Sequence, residues 1–332
     1  MIKEALFYKV IDSNYVQCLL CPHLCKIKDG DFGKCKTRSN IGGKLFSMYY
    51  GMVSSIALDP IEKKPLYHFY PSSQILSIGT VGCNFNCLFC QNYTISQNTN
   101  VPTRFIDKEE IKEYLIENKC KLLAFTYSEP IIWYETILDY SKYLKEILNE
   151  NIKIVLVTNG YINLTPLEKL INYIDAVNVD LKSFNDNFYR EICGGKVDPV
   201  KNFIKFCADK ILVEVTTLII PTKNDSQDEI EEIAKFLSGI SKDIPLHLSR
   251  YFPQYKMVLP PTNTDKIKRL ADIAKKYLNY VYTGNFYGGY ENTYCPNCGN
   301  ILIERAGFTS KIVGIKENKC KYCNSEVKII LK

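Results

Sequence analysis

Fourteen cysteines in 332 residues stand out, because eleven of them fall into three tight groups. The middle group, GCNFNCLFCQN, spaces its thiols as Cys83-x3-Cys87-x2-Cys90 directly after the apolar run QILSIGT. Iron–sulfur clusters are held by cysteine thiolates, four for a fully ligated cubane. Three on one short loop hold three irons and leave the fourth open to chelate a substrate or cofactor. A structural zinc site instead takes four closed ligands, and no fourth Cys or His lies nearby in sequence. The expected occupant is therefore a [4Fe–4S] cluster on Cys83, Cys87 and Cys90. Gly82 and the two Asn residues of the loop suit a tight wrap around it.

The two outer groups offer four thiols each. Cys295-x2-Cys298-x21-Cys320-x2-Cys323 pairs the knuckles CPNCG and CKYCN, the pattern of a zinc ribbon. Zinc is the favoured metal, with rubredoxin-like iron as the alternative, in a structural or partner-docking role. Cys18-x2-Cys21-x3-Cys25-x9-Cys35 encloses His23. Its spacing admits zinc or a second Fe–S cluster, and zinc as a structural clasp is preferred. Cys120, Cys193 and Cys207 read as small buried hydrophobes. Trp133 and His68 read as packing residues.

The elements that position these groups follow from periodicity. Short β-rich runs at 74–80, 121–127, 152–158, 175–181, 211–220 and 245–249 alternate with amphipathic helical patterns near 107–119, 131–150, 165–173, 198–208, 226–238 and 264–278. Strands apolar on both faces, each followed by a helix, predict a parallel sheet with right-handed crossovers. The fold class is α/β, a partial (βα)6-type barrel. In such barrels chemistry sits at the carboxyl ends of the strands. Those ends carry Ser128 and Glu129 in TYSEP, Asn159 in TNGY, Asp180 and Lys182 in VDLKSF, and His247, Ser249 and Arg250 in HLSRYFP. Ser128 would cap the helix that follows. The expected organisation is a four-cysteine segment and connector at 1–72, a core at 73–289 and a zinc-ribbon-like unit at 290–332.

Composition narrows the setting. With 46% hydrophobic and 23% charged residues, the chain can build a core without disulfides. Close CxxC spacing suits metal thiolates in a reducing cytoplasm, no secretory signal precedes the first cysteines, and no apolar run is long enough for a membrane span. The net charge of +6 comes from 36 Lys and 6 Arg against 36 acidic residues, scattered along the chain. Dispersed lysine gives no argument for a nucleic-acid partner.

The CxxxCxxC loop after the first strand, with Phe89 just before the third cysteine, resembles the radical S-adenosylmethionine (SAM) superfamily. TNG, DLK and a late polar strand end resemble the glycyl-radical-enzyme activases, such as pyruvate formate-lyase activating enzyme. CLLCPHLCKIKDGDFGKCKTR, GCNFNCLFCQN, TYSEP, VTNGY, DLKSF, IIPTKND, HLSRYFP and YTGN together resemble the radical SAM member of the AmmeMemoRadiSam system. The resemblance implies that the open iron binds the amino and carboxylate groups of SAM. Electron transfer then cleaves SAM to a 5′-deoxyadenosyl radical that abstracts hydrogen from a substrate. It implies cofactor contacts from Phe89, Ser128, Glu129, Asn159, Asp180, Lys182 and Arg250. It also implies a flavodoxin or ferredoxin as electron donor, a protein or small-molecule substrate, and AMMECR1-like and Memo-like partners. Two rival readings are a radical SAM transferase that modifies RNA and a partner-docking module with a vestigial cluster. The first predicts a clustered basic surface, and intact cysteines beside Glu129 speak against the second.

Overall fold

A computed structural model describes residues 1–146 and 151–331. Its centre is an eight-stranded sheet whose strands lie side by side in chain order. We label them β1 (Ser55–Pro60), β2 (Gln74–Gly79), β3 (Leu122–Phe125), β4 (Lys153–Thr158), β5 (Ala176–Asp180), β6 (Leu212–Ile219), β7 (Leu246–Arg250) and β8 (Val281–Gly284). β2 to β8 are parallel, and β1 pairs antiparallel with β2 at one edge. The longer helices among the described residues are α1 (Lys108–Glu117), α2 (Tyr134–Glu146), α3 (Leu164–Leu170), α4 (Val197–Ala208), α5 (Gln227–Ser238) and α6 (Thr264–Ala274). Six strand–helix units followed by a final strand make the partial barrel read from the sequence. The final strand and the antiparallel edge are additions to that reading. The helical pattern at 131–150 opens instead as a 3-10 turn over Pro130–Trp133 and continues as α2, with residues 147–150 outside the described set.

Local chemistry explains the boundaries. Every residue of β3 is buried, as a strand covered on both faces requires. Asp107 accepts from Glu110 N at 2.9 Å to cap α1, and Ser226 accepts from Glu229 N at 3.1 Å to cap α5. Such caps are each worth about 1 kcal/mol. The 3-10 turn at Pro130 is capped by Glu129, which accepts from Ile131 N at 3.0 Å, so the cap falls on Glu129 rather than on Ser128.

The N-terminal segment holds more regular structure than its sequence suggests. Lys3–Glu4, Arg38–Ile41 and Lys44–Ser47 form one small sheet, and Tyr8–Val10, Tyr15–Cys18 and Lys26–Lys28 form another. Strands of two to four residues leave no legible period. The C-terminal residues build a separate small core from Cys295, Leu302, Ile303, Cys320, Val327 and Ile329. They are nevertheless tied to the barrel: Arg305 donates to the Tyr67 carbonyl at 2.8 Å, and Ile330 N donates to the His68 carbonyl at 2.8 Å. Among the described residues, no helix is long and apolar enough to cross a membrane.

Candidate active site

The carboxyl ends of the parallel strands open into one cavity of about 1180 Å³. Its wall includes Cys83, Cys87, Cys90, Phe89, Ser128, Glu129, Asn159, Asp180, Lys182 and Arg250, residues far apart in the chain and gathered by the sheet. A cavity this size exceeds the roughly 300–1,000 Å³ of a typical small-molecule site, so it has room for a nucleoside cofactor and a further reactant.

The cysteine loop is held from three sides. Asn86 N and Leu88 N donate to the carbonyls of Cys193 and Ile192 at 2.9 and 3.0 Å. Asn84 Nδ2 donates to the Tyr161 carbonyl at 2.9 Å, and Gln97 Nε2 to the Phe85 carbonyl at 3.0 Å. The support at 189–195 escapes a sequence reading. Tyr189–Cys193 forms a π-helical turn, a feature frequent at functional sites, and it ends on Gly194 with φ +79°. A Cβ on Gly194 would lie 1.8 Å from Asn86 Oδ1, and one on Gly195 would lie 2.3 Å from Phe85 Cε1. The Gly pair lets the cluster loop lie directly on this turn, and the Cys193 thiol is brought within hydrogen-bonding reach of Cys87. Gly194→Ala is therefore expected to lower iron incorporation sharply while leaving far-UV circular dichroism unchanged, because the strain of about 1–3 kcal/mol falls on the loop and not on the sheet.

Glu129 is 4% exposed. Its carboxylate accepts from Thr158 Oγ1 at 2.5 Å, Asn159 N at 2.8 Å and Ile131 N at 3.0 Å, which ties the end of β3 to that of β4. Burial pushes its pKa up to about 7, against the pull of those three donors. Asn159 Nδ2 donates to Asn84 Oδ1 at 2.8 Å and stands 3.8 Å from Cys83 Sγ. Lys182 Nζ pairs with Asp180 at 2.9 Å and lies 5.7 Å from the centre of the Phe89 ring. Arg250 spends its Nε on the Thr262 carbonyl at 2.8 Å.

The donor set fits a cluster with a chelated cofactor. Three thiols of one loop share a wall with an acid, an Asp–Lys pair and an Arg, and the buried Ser128 hydroxyl beside them has no partner among the described residues. An unpaired buried hydroxyl is costly unless a ligand meets it.

The connector and the ribbon also reach the cavity, which the sequence keeps apart from the chemistry. Lys64 and Tyr127 OH both bind the Asp59 carboxylate, at 2.6 and 2.7 Å, and Glu62, Lys64 and Tyr67 line the wall. Gly307 and Phe308 of the C-terminal unit complete it, with Phe252, Phe286 and Tyr287. His247 Nε2 meets Glu214 at 2.6 Å, His68 N donates to the same carboxylate at 2.7 Å, and Tyr282 OH links His68 to Thr293 at 2.7 Å on either side. His68 is thus part of a buried network between barrel and ribbon. Burial pushes its pKa down to about 4.

The family model of the Radical SAM superfamily matches residues 77–237. An uncharacterized protein of Methanocaldococcus jannaschii is 43% identical over 99% of this chain and 100% of its own length. The chain belongs to the radical SAM superfamily. A putative glycyl-radical enzyme activating enzyme of the same organism is 29% identical over 63% of this chain and 80% of its own length. In fold, a radical SAM methyltransferase from Sphaerobacter thermophilus aligns with TM-score 0.50 at 15% identity, covering 86% of this chain and 78% of that one. Membership implies a [4Fe–4S] cluster and SAM, for which this radical SAM chain presents the thiols and polar groups described above.

The ribbon thiols form a separate candidate metal site. All four sulfurs of Cys295, Cys298, Cys320 and Cys323 lie within 4.8 Å of one another. Cys295 and Cys323 are 3.7 Å apart, and Cys298 and Cys320 are 3.6 Å apart. Metal–sulfur bonds of about 2.3 Å in a tetrahedron put the sulfurs about 3.8 Å apart, so the site suits one tetrahedral ion. Cys320→Ala/Cys323→Ala should lose about one metal equivalent and make residues beyond 290 protease-sensitive, since structural sites of this kind contribute about 10 kcal/mol to their own folding. Metal analysis and limited proteolysis read both effects.

Proposed function

We infer that this chain is an activase-like radical SAM oxidoreductase acting on a C–H bond of a protein or small-molecule substrate. The observation that carries the reading is the three-thiol loop facing a cavity that also gathers Glu129, the Asp180–Lys182 pair and Arg250. Its relatives named glycyl-radical enzyme activating enzymes support the activase-like assignment. When bound, the cluster and SAM supply a 5′-deoxyadenosyl radical, the hard chemistry that belongs to the cofactor. The chain's own residues bind, orient and shield. Cys83, Cys87 and Cys90 hold three irons. Glu129 and Ser128 accept from the SAM amino group, and Arg250 takes a carboxylate or ribose hydroxyls. Asn159, Phe89, Asp180 and Lys182 fix the position of cofactor and loop. A flavodoxin or ferredoxin supplies electrons, AMMECR1-like and Memo-like proteins are the candidate partners, and the setting is cytoplasmic.

The experiment is anaerobic incubation of the reconstituted, reduced full chain with SAM and each candidate partner. The expected result is 5′-deoxyadenosine formed in proportion to a modified product. A reduced cluster that leaves SAM intact under every condition would overturn the reading.

A further inference from the structure

The N-terminal thiols are spaced unlike those of the ribbon. Cys18, Cys21, Cys25 and Cys35 line one small void, with Arg38 and Asn84 also in its wall. A single tetrahedral ion needs sulfurs about 3.8 Å apart. A cubane carries its thiolates on four separate irons and so spreads them to about 6 Å. Among the described residues, no three of the N-terminal sulfurs lie within 4.8 Å of one another, whereas all four ribbon sulfurs do. Cys83, Cys87 and Cys90 likewise do not form so tight a group. The N-terminal set, like the cluster loop, is therefore not gathered as tightly as one tetrahedral ion requires.

Arg38 supplies an independent sign of an anionic occupant. Its side chain is 1% exposed, and its Nη2 pairs with Glu135 at 2.5 Å. Its Nε and Nη1 are buried without any hydrogen-bond partner among the described residues. Buried charged donors are costly to leave unpaired, and sulfur ligands of a metal centre in the void would accept from them. A tetrathiolate zinc site and an oxidised cubane with four thiolates are both dianions, so charge calls for a metal–thiolate centre and spacing decides which.

The void also adjoins the central loop. His23 Nε2 meets the Asn84 carbonyl at 2.7 Å. A Cβ on Gly82 would lie 2.6 Å from the Cys35 carbonyl oxygen. Gly82 and Asn84 flank Cys83, so a group held by the four N-terminal thiols is the immediate neighbour of a cluster on Cys83, Cys87 and Cys90. On the outer side, Cys25 is half-buried beside exposed Leu24, an edge that a carrier protein can approach.

We propose that Cys18, Cys21, Cys25 and Cys35 hold a second [4Fe–4S] cluster that passes electrons to the central one. The step takes one electron from a reduced low-potential carrier protein and delivers one electron to the central cluster, with no bond made or broken and no proton moved. The cluster assignment stands on its own geometry, and the relay rests on the proposed function of the central site. It replaces the zinc clasp preferred from sequence, since residue spacing along the chain does not encode the distance between sulfurs.

The test uses the full chain, reconstituted anaerobically with ferrous iron and sulfide, and reads iron, acid-labile sulfide, zinc and electron paramagnetic resonance (EPR). Wild type should hold about eight iron and eight sulfide with about one zinc, and Cys83→Ala/Cys87→Ala/Cys90→Ala should keep about four iron in a cluster whose spectrum ignores SAM. About two zinc per wild-type chain, or no iron in the triple variant alongside iron in wild type limited to about four, would overturn the proposal. In Cys18→Ala/Cys35→Ala, dithionite should still reduce the central cluster, whereas reduced flavodoxin or ferredoxin should no longer do so. Equal reduction by the carrier would refute the relay. Should that variant fail to fold, the counts in wild type and the triple variant decide the cluster alone. A wild-type central signal indifferent to SAM would instead count against the proposed function and the relay, and leave the iron count to judge the second cluster.

Discussion

Cys87→Ala is expected to reduce 5′-deoxyadenosine formation to background, as loss of any of the three loop thiols should. Three thiolates are the minimum that holds a cubane with one iron open, and loss of the middle ligand takes away both the site and its geometry. The remaining side chains supply no electron for SAM cleavage, because that chemistry belongs to the cluster, so no slower route is left. Cys87 is buried and small, so truncation to Ala opens little space and the sheet should stay intact. One complication is built into the fold. Cys193 lies beside Cys87 and is fully buried, which makes it the nearest substitute thiol. Cys87→Ala alone can retain some iron through Cys193, whereas Cys87→Ala/Cys193→Ala should lose the central cluster entirely. In both, the EPR signal of the reduced protein should ignore SAM. A SAM-responsive signal in the double variant would remove Cys87 from the ligand set.

Which parts were readable from sequence follows from the range of the interactions involved. β2 to β7 announce themselves because strands buried on both faces become short apolar runs, and α1 to α6 because one stripe of each meets the sheet. β8 holds only four residues and follows Tyr280 in a run whose polarity hides it. β1 lies at an edge with Ile56, Ala57 and Leu58 exposed, so its pattern does not read as a core strand. The strand-end residues could be collected because position at the carboxyl end is a topological property. The support under the cluster loop could not: Gly194 and Gly195 carry no side chain to mark them, and only their contacts with Asn86 and Phe85 give them a role. The same holds for the ribbon, whose Ser310 meets Ser72 from 238 positions away. Its own cysteines announce a metal, but nothing local says that Phe308 lines the cavity.

Glu129 has two jobs that separate by substitution. In the fold its carboxylate is the acceptor for the Thr158 hydroxyl and the Asn159 and Ile131 amides. Removing it leaves three buried donors, each costing about 1–3 kcal/mol, so Glu129→Ala should destabilise by several kcal/mol. Glu129→Gln keeps an acceptor oxygen and the shape, so its main loss is the charge. The pKa of about 7 lies above the ordinary carboxylate value of 4.5, and the sign of its effect follows. Between about 4.5 and 7 the folded chain holds a proton that the unfolded chain has released, so stability falls as pH rises through this window and levels off above it. The full swing is about 3 kcal/mol for a shift of this size, and denaturant titrations of the SAM-free chain should show it in wild type and not in Glu129→Gln. Affinity for SAM runs the other way. The ionised carboxylate is the better acceptor for the SAM amino group, so binding should strengthen as pH rises through about 7. Glu129→Gln should bind SAM about tenfold or more weakly at pH 8, as expected when a charge-assisted hydrogen bond becomes a neutral one, and should retain only the titration of SAM itself. Equal affinity in wild type and Glu129→Gln across this range would leave Glu129 as the clamp between β3 and β4 and assign the amino group to another acceptor in the wall.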